Sequence, residues 1–274
     1  MSYRLGVDVG GTFTDLLLIN EQSGETYTAK VPSTPEDSSI GVLNGVARIC
    51  AESGTDPAAI RRVMHGTTVA TNSVLTGKGA RVGLVTTRGF KQVLQVARSF
   101  CPGGLGGWVS YVKKPLLAPL ELTIEADERM AADGSVVTAL DEESLRSELR
   151  RLKDKGQVEA LTICFINAYL NGAHEAQARK IAQEVFGSLP ISISSEVVPE
   201  MQEYERTETT VVNSYVAPEV ATYIRNLQSS LEAQMGDSLQ LSILRSDGGL
   251  ASSRAAAESP VNMLMSGPAA GVAG

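Results

Sequence analysis

Apolar and polar positions alternate in "YRLGVDV" and again in "FTDLLLIN", which predicts two strands meeting at a glycine turn close to the amino terminus. "ETYTAKV" continues the strand pattern, and "SSIGVLNGVARICAES" changes to helical spacing. Further strands are expected at "RVGLVTT", "ALTICFI" and "ISISSEV", with helical stretches between them. The clearest helix is "DEESLRSELRRLKDKG", where Leu145, Leu149 and Leu152 share one face. Acids open it, bases close it and Gly156 follows, in agreement with the helix dipole. "AHEAQARKIAQEVFG" ends in the same manner at Gly187. After Pro199 a long stretch through "EYERTETTVVNSYVAPEVATYIRNLQSSLEAQMG" reads as helix interrupted at Pro218, and "LQLSILRSDGG" returns to strand and turn. The expected class is α/β, with a boundary near residues 190–200.

One stretch breaks the regular pattern. Residues 99–120 hold four glycines in five positions and the only tryptophan, and read as a surface insertion ahead of a hairpin. The composition of the 274-residue chain, 43% apolar and 20% charged, is that of an ordinary globular protein. A formal charge of −7 argues against a broad nucleic-acid or anionic-membrane surface, while leaving room for a local basic pocket. No apolar run reaches the roughly 18 residues of a membrane helix, and the amino terminus enters a strand without signal-peptide architecture. The expectation is a cytoplasmic protein that binds neither nucleic acid nor membrane. Cys50, Cys101 and Cys164 form no disulfide framework or zinc signature, and two histidines are too few for a histidine-rich metal site. Cys164, inside "LTICFI", reads as a small core residue.

Several stretches carry candidate chemistry. In "GVDVGGTFTD", Gly10 and Gly11 can bring backbone N–H groups to an anion, Thr12 and Thr14 add hydroxyl donors, and Asp8 and Asp15 can hold Mg²⁺ through water. The same residues also suit a plain Gly-Gly hairpin. In "MHGTTVATN", His65, Thr67 and Thr68 lie where a strand enters a helix, with Asn72 one turn inside. That end offers free N–H groups to an anion or oxyanion; the alternative is a threonine cap and a core histidine. Arg88, after Thr86 and Thr87, suits either a phosphate or the solvent. Glu203, Glu205, Arg206 and Glu208 read as charge pairs on an exposed helix, and "RSDGGL" and "SGPAAG" are glycine turns able to approach a nucleotide.

Six segments in order, "GVDVGGTFTD", "HGTTVATN", "CFINAYLNGAHE", "EYERTETTVVNSYVAP", "RSDGGL" and "SGPAAG", resemble the hydantoinase A/5-oxoprolinase family across nearly the whole chain. The resemblance implies an actin/sugar-kinase-like (ribonuclease H-like) ATPase fold, the first domain plus the beginning of the second. It implies an N-terminal domain over residues 1–195 and an incomplete core domain over 196–274. Asp8, Gly10, Gly11, Thr12, Phe13, Thr14 and Asp15 would then form the first phosphate-gripping hairpin, joined by Gly267, with Asp8 as the carboxylate bound to Mg²⁺ through water. His65, Thr67 and Thr68 would stand near the transferred phosphate.

Members of this family use ATP to phosphorylate a carbonyl or enol oxygen. In ring-amide enzymes this permits hydrolysis; in ketone carboxylases it traps an enol for carboxylation. "RSFCPGGLGGWVSYVKKPLLAPLE" is similar to acetophenone-carboxylase-type subunits, which points to a carboxylase subunit ahead of a hydantoinase or oxoprolinase hydrolase. A non-catalytic assembly module is the reading from another class. Implied partners are a hydantoinase-B-like subunit, the remaining hydantoinase A portion, and a small ketone or cyclic amide. Asp247 and Gly172 depart from the Asn and Pro usual in the family, and a second Asp-Gly-Gly-Thr loop is not in the sequence. The isolated chain is therefore expected to be inactive.

Overall fold

The alternation at the amino terminus becomes a hairpin of β1 (Tyr3–Val9) and β2 (Phe13–Asn20), followed by β3 (Thr26–Pro32) and helix α1 (Ser38–Ser53). The structure is a computed structural model that describes residues 2–34, 37–99, 106–107 and 112–266. Along the chain come β4 (Ile60–Thr67), α2 (Val69–Thr76), β5 (Val82–Thr87), β6 (Thr123–Ala126) and the hairpin β7 (Arg129–Met130) with β8 (Val136–Thr138). They are followed by α3 (Glu142–Asp154), β9 (Ala160–Cys164), α4 (Ala173–Phe186), β10 (Ile191–Ile193), α5 (Glu203–Met235), β11 (Gln240–Leu244) and β12 (Leu250–Ser252). No helix among the described residues is long and apolar enough to cross a membrane. Residues 100–105 and 108–111 of the 99–120 insertion, Cys101 and Trp108 among them, lie outside the described residues.

Packing divides the chain into two units that do not follow its order: Met1–Lys78 with Glu219–Gly274, and Gly79–Pro218. The first unit holds a six-stranded sheet in the order β12-β11-β4-β1-β2-β3. Leu5, Val7 and Val9 of β1 and Leu16 and Leu18 of β2 are buried, since alternate residues of a strand share a face. Val42, Val46 and Ile49 of α1 are buried too, where that helix packs on β2 and β3. Each such side chain contributes about 1.5–3 kcal/mol on burial. The helix starts where the Asp37 carboxylate accepts from Ser39 N–H and stops at Gly54, whose φ of 66° is left-handed. Gly45 is dictated by packing: a Cβ there would overlap the Leu16 side chain.

The second unit holds the parallel sheet β10-β9-β5-β6. Every residue of β5 and of β9 is buried, the continuous pattern of strands covered on both faces. Leu145, Leu149 and Leu152 of α3 join Leu161, Ile163, Phe165 and Ile181 in its core, and the Asp141 carboxylate caps α3 by accepting from Ser144 N–H. Cys164 is a buried core thiol here, as its apolar setting implied.

Three expectations are corrected. "ISISSEV" is strand only over Ile191–Ile193 and turns helical over Ser194–Val197. Pro218 does not interrupt α5: the turns before it bury Val211 and Val216, the turns after it bury Val220 and Ile224, and this packing outweighs the missing N–H. One carbonyl at that turn, Tyr215 O, accepts from Ala80 N–H at 2.9 Å. The charged run of α5 is not an exposed helix either. Arg206 is 1% exposed and donates to Phe165 O (2.7 Å), Ser194 Oγ (3.1 Å) and Glu200 O (3.1 Å). Ser194 Oγ in turn donates to Glu175 Oε1 at 2.6 Å, and Glu175 also accepts from Phe165 N–H and Ser195 N–H. Burial pushes the Glu175 carboxyl above its ordinary range. Removing one member of such a cluster strands its partners without water. Arg206→Leu is expected to destabilise the chain by about 3 kcal/mol or more, read from the urea unfolding midpoint, with Arg206→Lys losing less.

Candidate functional site

The β1–β2 turn is closed by Gly10 N–H to Phe13 O at 3.0 Å. Two of the loop's three carbonyls are held by the residue that follows β3: Ser33 Oγ donates to Gly10 O at 2.8 Å, and Ser33 N–H donates to Thr12 O at 2.9 Å. The N–H groups of Gly11 and Thr12 have no hydrogen-bond partner among the described residues. The turn thus leaves two successive donors free and ties down two of its three acceptors, which suits the approach of an anion. Neither Gly10 nor Gly11 has a left-handed φ, so the turn itself does not demand glycine. A Cβ at Gly10 would come 3.2 Å from Phe13 O, whereas one at Gly11 would meet nothing within 4 Å. Inside the fold, nothing requires Gly11 to be small.

Register then assembles a row across one sheet face. Asp8 stands opposite Asp15 and Gly66, and Asp15 stands opposite Lys30, so Gly66, Asp8, Asp15 and Lys30 run across β4, β1, β2 and β3. Lys30 Nζ pairs with Asp15 at 2.8 Å and lies 5.1 Å from the Phe13 ring centre. Among the described residues no cation pairs with Asp8. Partial burial, then the nearby Asp15 charge, raise its carboxyl above the ordinary aspartate value, and a bound cation would relieve both effects. Gly66 leaves it room: a Cβ at that position would stand 3.2 Å from Asp8 Oδ1. The row borders a groove of about 810 Å³ whose wall includes Leu17, Met64, Arg48 and Leu244.

The other sequence candidates sit differently. Thr14 is wholly buried, with its hydroxyl 3.0 Å from Ser33 Oγ, so it braces the hairpin from the helix-covered face. His65 is level with Val7 in register, and its side chain enters that same buried face, opposite to Asp8. Its Nε2 is 2.7 Å from the Tyr223 hydroxyl, while Nδ1 is buried without a well-formed hydrogen bond. Burial, against a weaker pull from the Val7 carbonyl, lowers its pKa to about 4. Thr67 is buried, accepts from Val69 N–H at 3.3 Å and also contacts the Tyr223 hydroxyl. Thr68 Oγ1 donates to Val9 O at 3.3 Å and accepts from Asn72 Nδ2, which ties α2 to the end of β1. Arg88 is paired with Asp127, and Asp247 with Arg245 at 2.7 Å, so the added charge of Asp247 is balanced. Gly267 lies outside the described residues.

Sequence reasoning missed Ser33, Lys30 and Tyr223. Lys30 and Ser33 are set by the register of a third strand, and Tyr223 is 158 positions from His65, so no local spacing signals them. It missed a second buried set as well: His174 Nδ1 lies 2.8 Å from Glu128 Oε2, and Thr87 Oγ1 donates to the same carboxylate.

Comparison with known proteins decides the family. The sequence profile of the hydantoinase/oxoprolinase N-terminal region matches residues 4–186, and that of the hydantoinase/oxoprolinase family matches residues 206–274. The chain belongs to the hydantoinase/oxoprolinase family. Among its relatives is the caprolactamase subunit alpha of Pseudomonas jessenii, 34% identical over 97% of this chain and 38% of the relative. Another is the acetophenone carboxylase gamma subunit of Aromatoleum aromaticum, 35% identical over 77% of this chain and 31% of the relative. The α/β fold, the actin/sugar-kinase-like one expected of this family, is shared with solved structures. The ATP-dependent caprolactamase of Pseudomonas jessenii superposes with a TM-score of 0.86 at 33% identity, covering 97% of this chain and 39% of that one. Nucleotide-free acetone carboxylase superposes with a TM-score of 0.87 at 25% identity, covering 98% and 39%. The chain thus spans less than two fifths of the length of these two relatives.

His65 provides a pH test of the buried face. Its pKa is about 6.5 in the unfolded chain and about 4 when folded, so the unfolded state binds the proton first as pH falls. Stability is expected to be full above pH 6.5 and to drop by on the order of 3 kcal/mol as pH falls to about 4, a loss absent from His65→Gln in urea titrations.

Proposed function

We propose that this chain is the part of an ATP-dependent hydantoinase/oxoprolinase-family enzyme that carries the first phosphate-gripping hairpin and the metal-linked carboxylate. The observation that supports this most is the pair of free N–H groups at Gly11 and Thr12, with the Gly10 and Thr12 carbonyls tied to Ser33. Open space at Gly11 suits close approach of a phosphate, and the unpaired, charge-strained Asp8 suits a water-bridged Mg²⁺. The residues therefore fit Mg-ATP. ATP would supply a phosphoryl group to a carbonyl or enol oxygen of the substrate.

In this reading the Gly11 and Thr12 N–H groups would hold phosphate oxygens and offset their charge, and Asp8 would hold the metal that balances the rest. Lys30 pairs with Asp15 and so lessens, without removing, the negative charge that Asp8 faces. Thr68 and Asn72 hold the α2 end beside Val9, and His65 and Thr67 support that turn from the buried face.

The finer reading is a ketone carboxylase subunit, favoured by the 99–120 segment and the likeness to acetophenone carboxylase gamma. The likeness to caprolactamase subunit alpha extends over 97% of the chain and favours hydrolysis of a cyclic amide as the second reading. Both relatives are subunits, which supports a partner of the hydantoinase-B class for this chain. A non-catalytic assembly module differs from either in one measurable respect: it would not bind Mg-ADP.

The test is made in the assembled enzyme. Asp8→Asn is expected to lower ATP-dependent turnover by about 100-fold or more with an unchanged melting temperature; retained turnover would end the metal role. Gly11→Ala is expected to fold as well as the parent chain, because its methyl meets nothing, and to weaken Mg-ADP binding about tenfold by calorimetry. Unaltered affinity in Gly11→Ala would remove the loop from the site, and absence of any Mg-ADP binding would favour the assembly module.

A further inference from the structure

The row that crosses the amino-terminal sheet contains a cation of its own. Asp8, Asp15 and Lys30 are direct neighbours in register on β1, β2 and β3, on the face away from the core, and all three line one groove. Side chains opposed on adjacent strands have Cβ atoms about 4.5–5.5 Å apart, close enough for two carboxylates to share one cation or its water shell. The two carboxylates are unequally served. Lys30 Nζ donates to both oxygens of Asp15, at 2.8 and 3.0 Å, whereas no cation or hydrogen-bond donor among the described residues meets Asp8.

The lysine is easy to move. The side chains of its pair with Asp15 are 56% and 52% exposed, and an ion pair so open to water adds little to the fold. An ammonium on a flexible stem carries half the charge of a divalent ion and competes poorly with one placed between two carboxylates. Lys30 also has somewhere to stay. Its Nζ is already 5.1 Å from the centre of the Phe13 ring, so an ammonium that gives up Asp15 keeps an aromatic face beneath it. Charge then decides the consequence. Two carboxylates and one ammonium present a single negative charge to an approaching anion; a divalent cation added to them turns this into a single positive charge, because the tethered lysine is displaced without being lost.

We propose that Lys30 is an exchangeable counter-ion of this site: it covers Asp15 until a divalent cation takes that carboxylate together with Asp8, and its retained charge then favours the phosphate tail. This role rests on the nucleotide reading of the hairpin and adds its control, since metal uptake and anion uptake are coupled through one side chain.

The test separates the two ligands in the assembled enzyme. Mn²⁺, standing in for Mg²⁺, is titrated without nucleotide and read by electron paramagnetic resonance, and the signal followed is the Mn²⁺ that Asp8→Asn fails to bind. Mg-ADP is titrated by calorimetry. Lys30→Met is expected to bind Mn²⁺ about threefold tighter or more, because nothing competes for Asp15, and to bind Mg-ADP about tenfold more weakly. Asp15→Asn should weaken Mn²⁺ about tenfold and abolish the gain from Lys30→Met in the double variant. A merely structural lysine would not give shifts of opposite sign. Unchanged or weaker Mn²⁺ binding in Lys30→Met overturns the proposal, as does undiminished Mg-ADP binding. If Asp8→Asn and Gly11→Ala bind both ligands like the parent, the nucleotide reading fails and this role fails with it. If those two lose affinity while Lys30→Met shows no opposite shifts, the counter-ion role alone falls.

Discussion

Strand alternation governs what the amino-terminal hairpin can do. Because neighbouring side chains leave β1 on opposite faces, Val7 and Val9 are committed to the core beneath α1, and Asp8 is committed to the other side. Pairing with β2, β3 and β4 extends that division across the sheet. It brings Asp15, Lys30 and Gly66 level with Asp8, and sends Thr14 and His65 inward. A shift of one residue in this register would exchange the two sets, burying carboxylates and exposing the core. The candidate site and the core therefore depend on the same hydrogen-bond ladder.

Much of this ladder was legible. "YRLGVDV" and "FTDLLLIN" became β1 and β2 over the same residues, and α1 coincides with "SSIGVLNGVARICAES", because alternation, an aspartate cap and a terminating glycine all agree locally. Gly11, Thr12 and Asp8 were named from residue type alone, an acid and paired glycines at a strand end, a pattern that suits a plain hairpin as well as a ligand. Thr14 and His65 were named from the same motifs, yet motif membership does not reveal the face on which a side chain leaves. That information resides in β3 and α5, which supply Ser33 and Tyr223.

The rest was hidden because it depends on packing across long separations. Arg206 has the sequence surroundings of a solvent-facing helix, and its burial follows only when Phe165, Ser194 and Glu200 close around it. Pro218 reads as a break in isolation, and its neighbours' burial keeps the helix whole. The first packing unit draws on both ends of the described chain, an arrangement no composition shift announces.

Ser33 gives the hairpin a property its own residues lack. By holding Gly10 O and Thr12 O, a single residue beyond the next strand fixes the tip before any ligand arrives. The conformational entropy of ordering that tip is lost once, when the chain folds, and need not be lost again at each encounter with an anion. A glycine pair that would otherwise sample many shapes is thereby held in one.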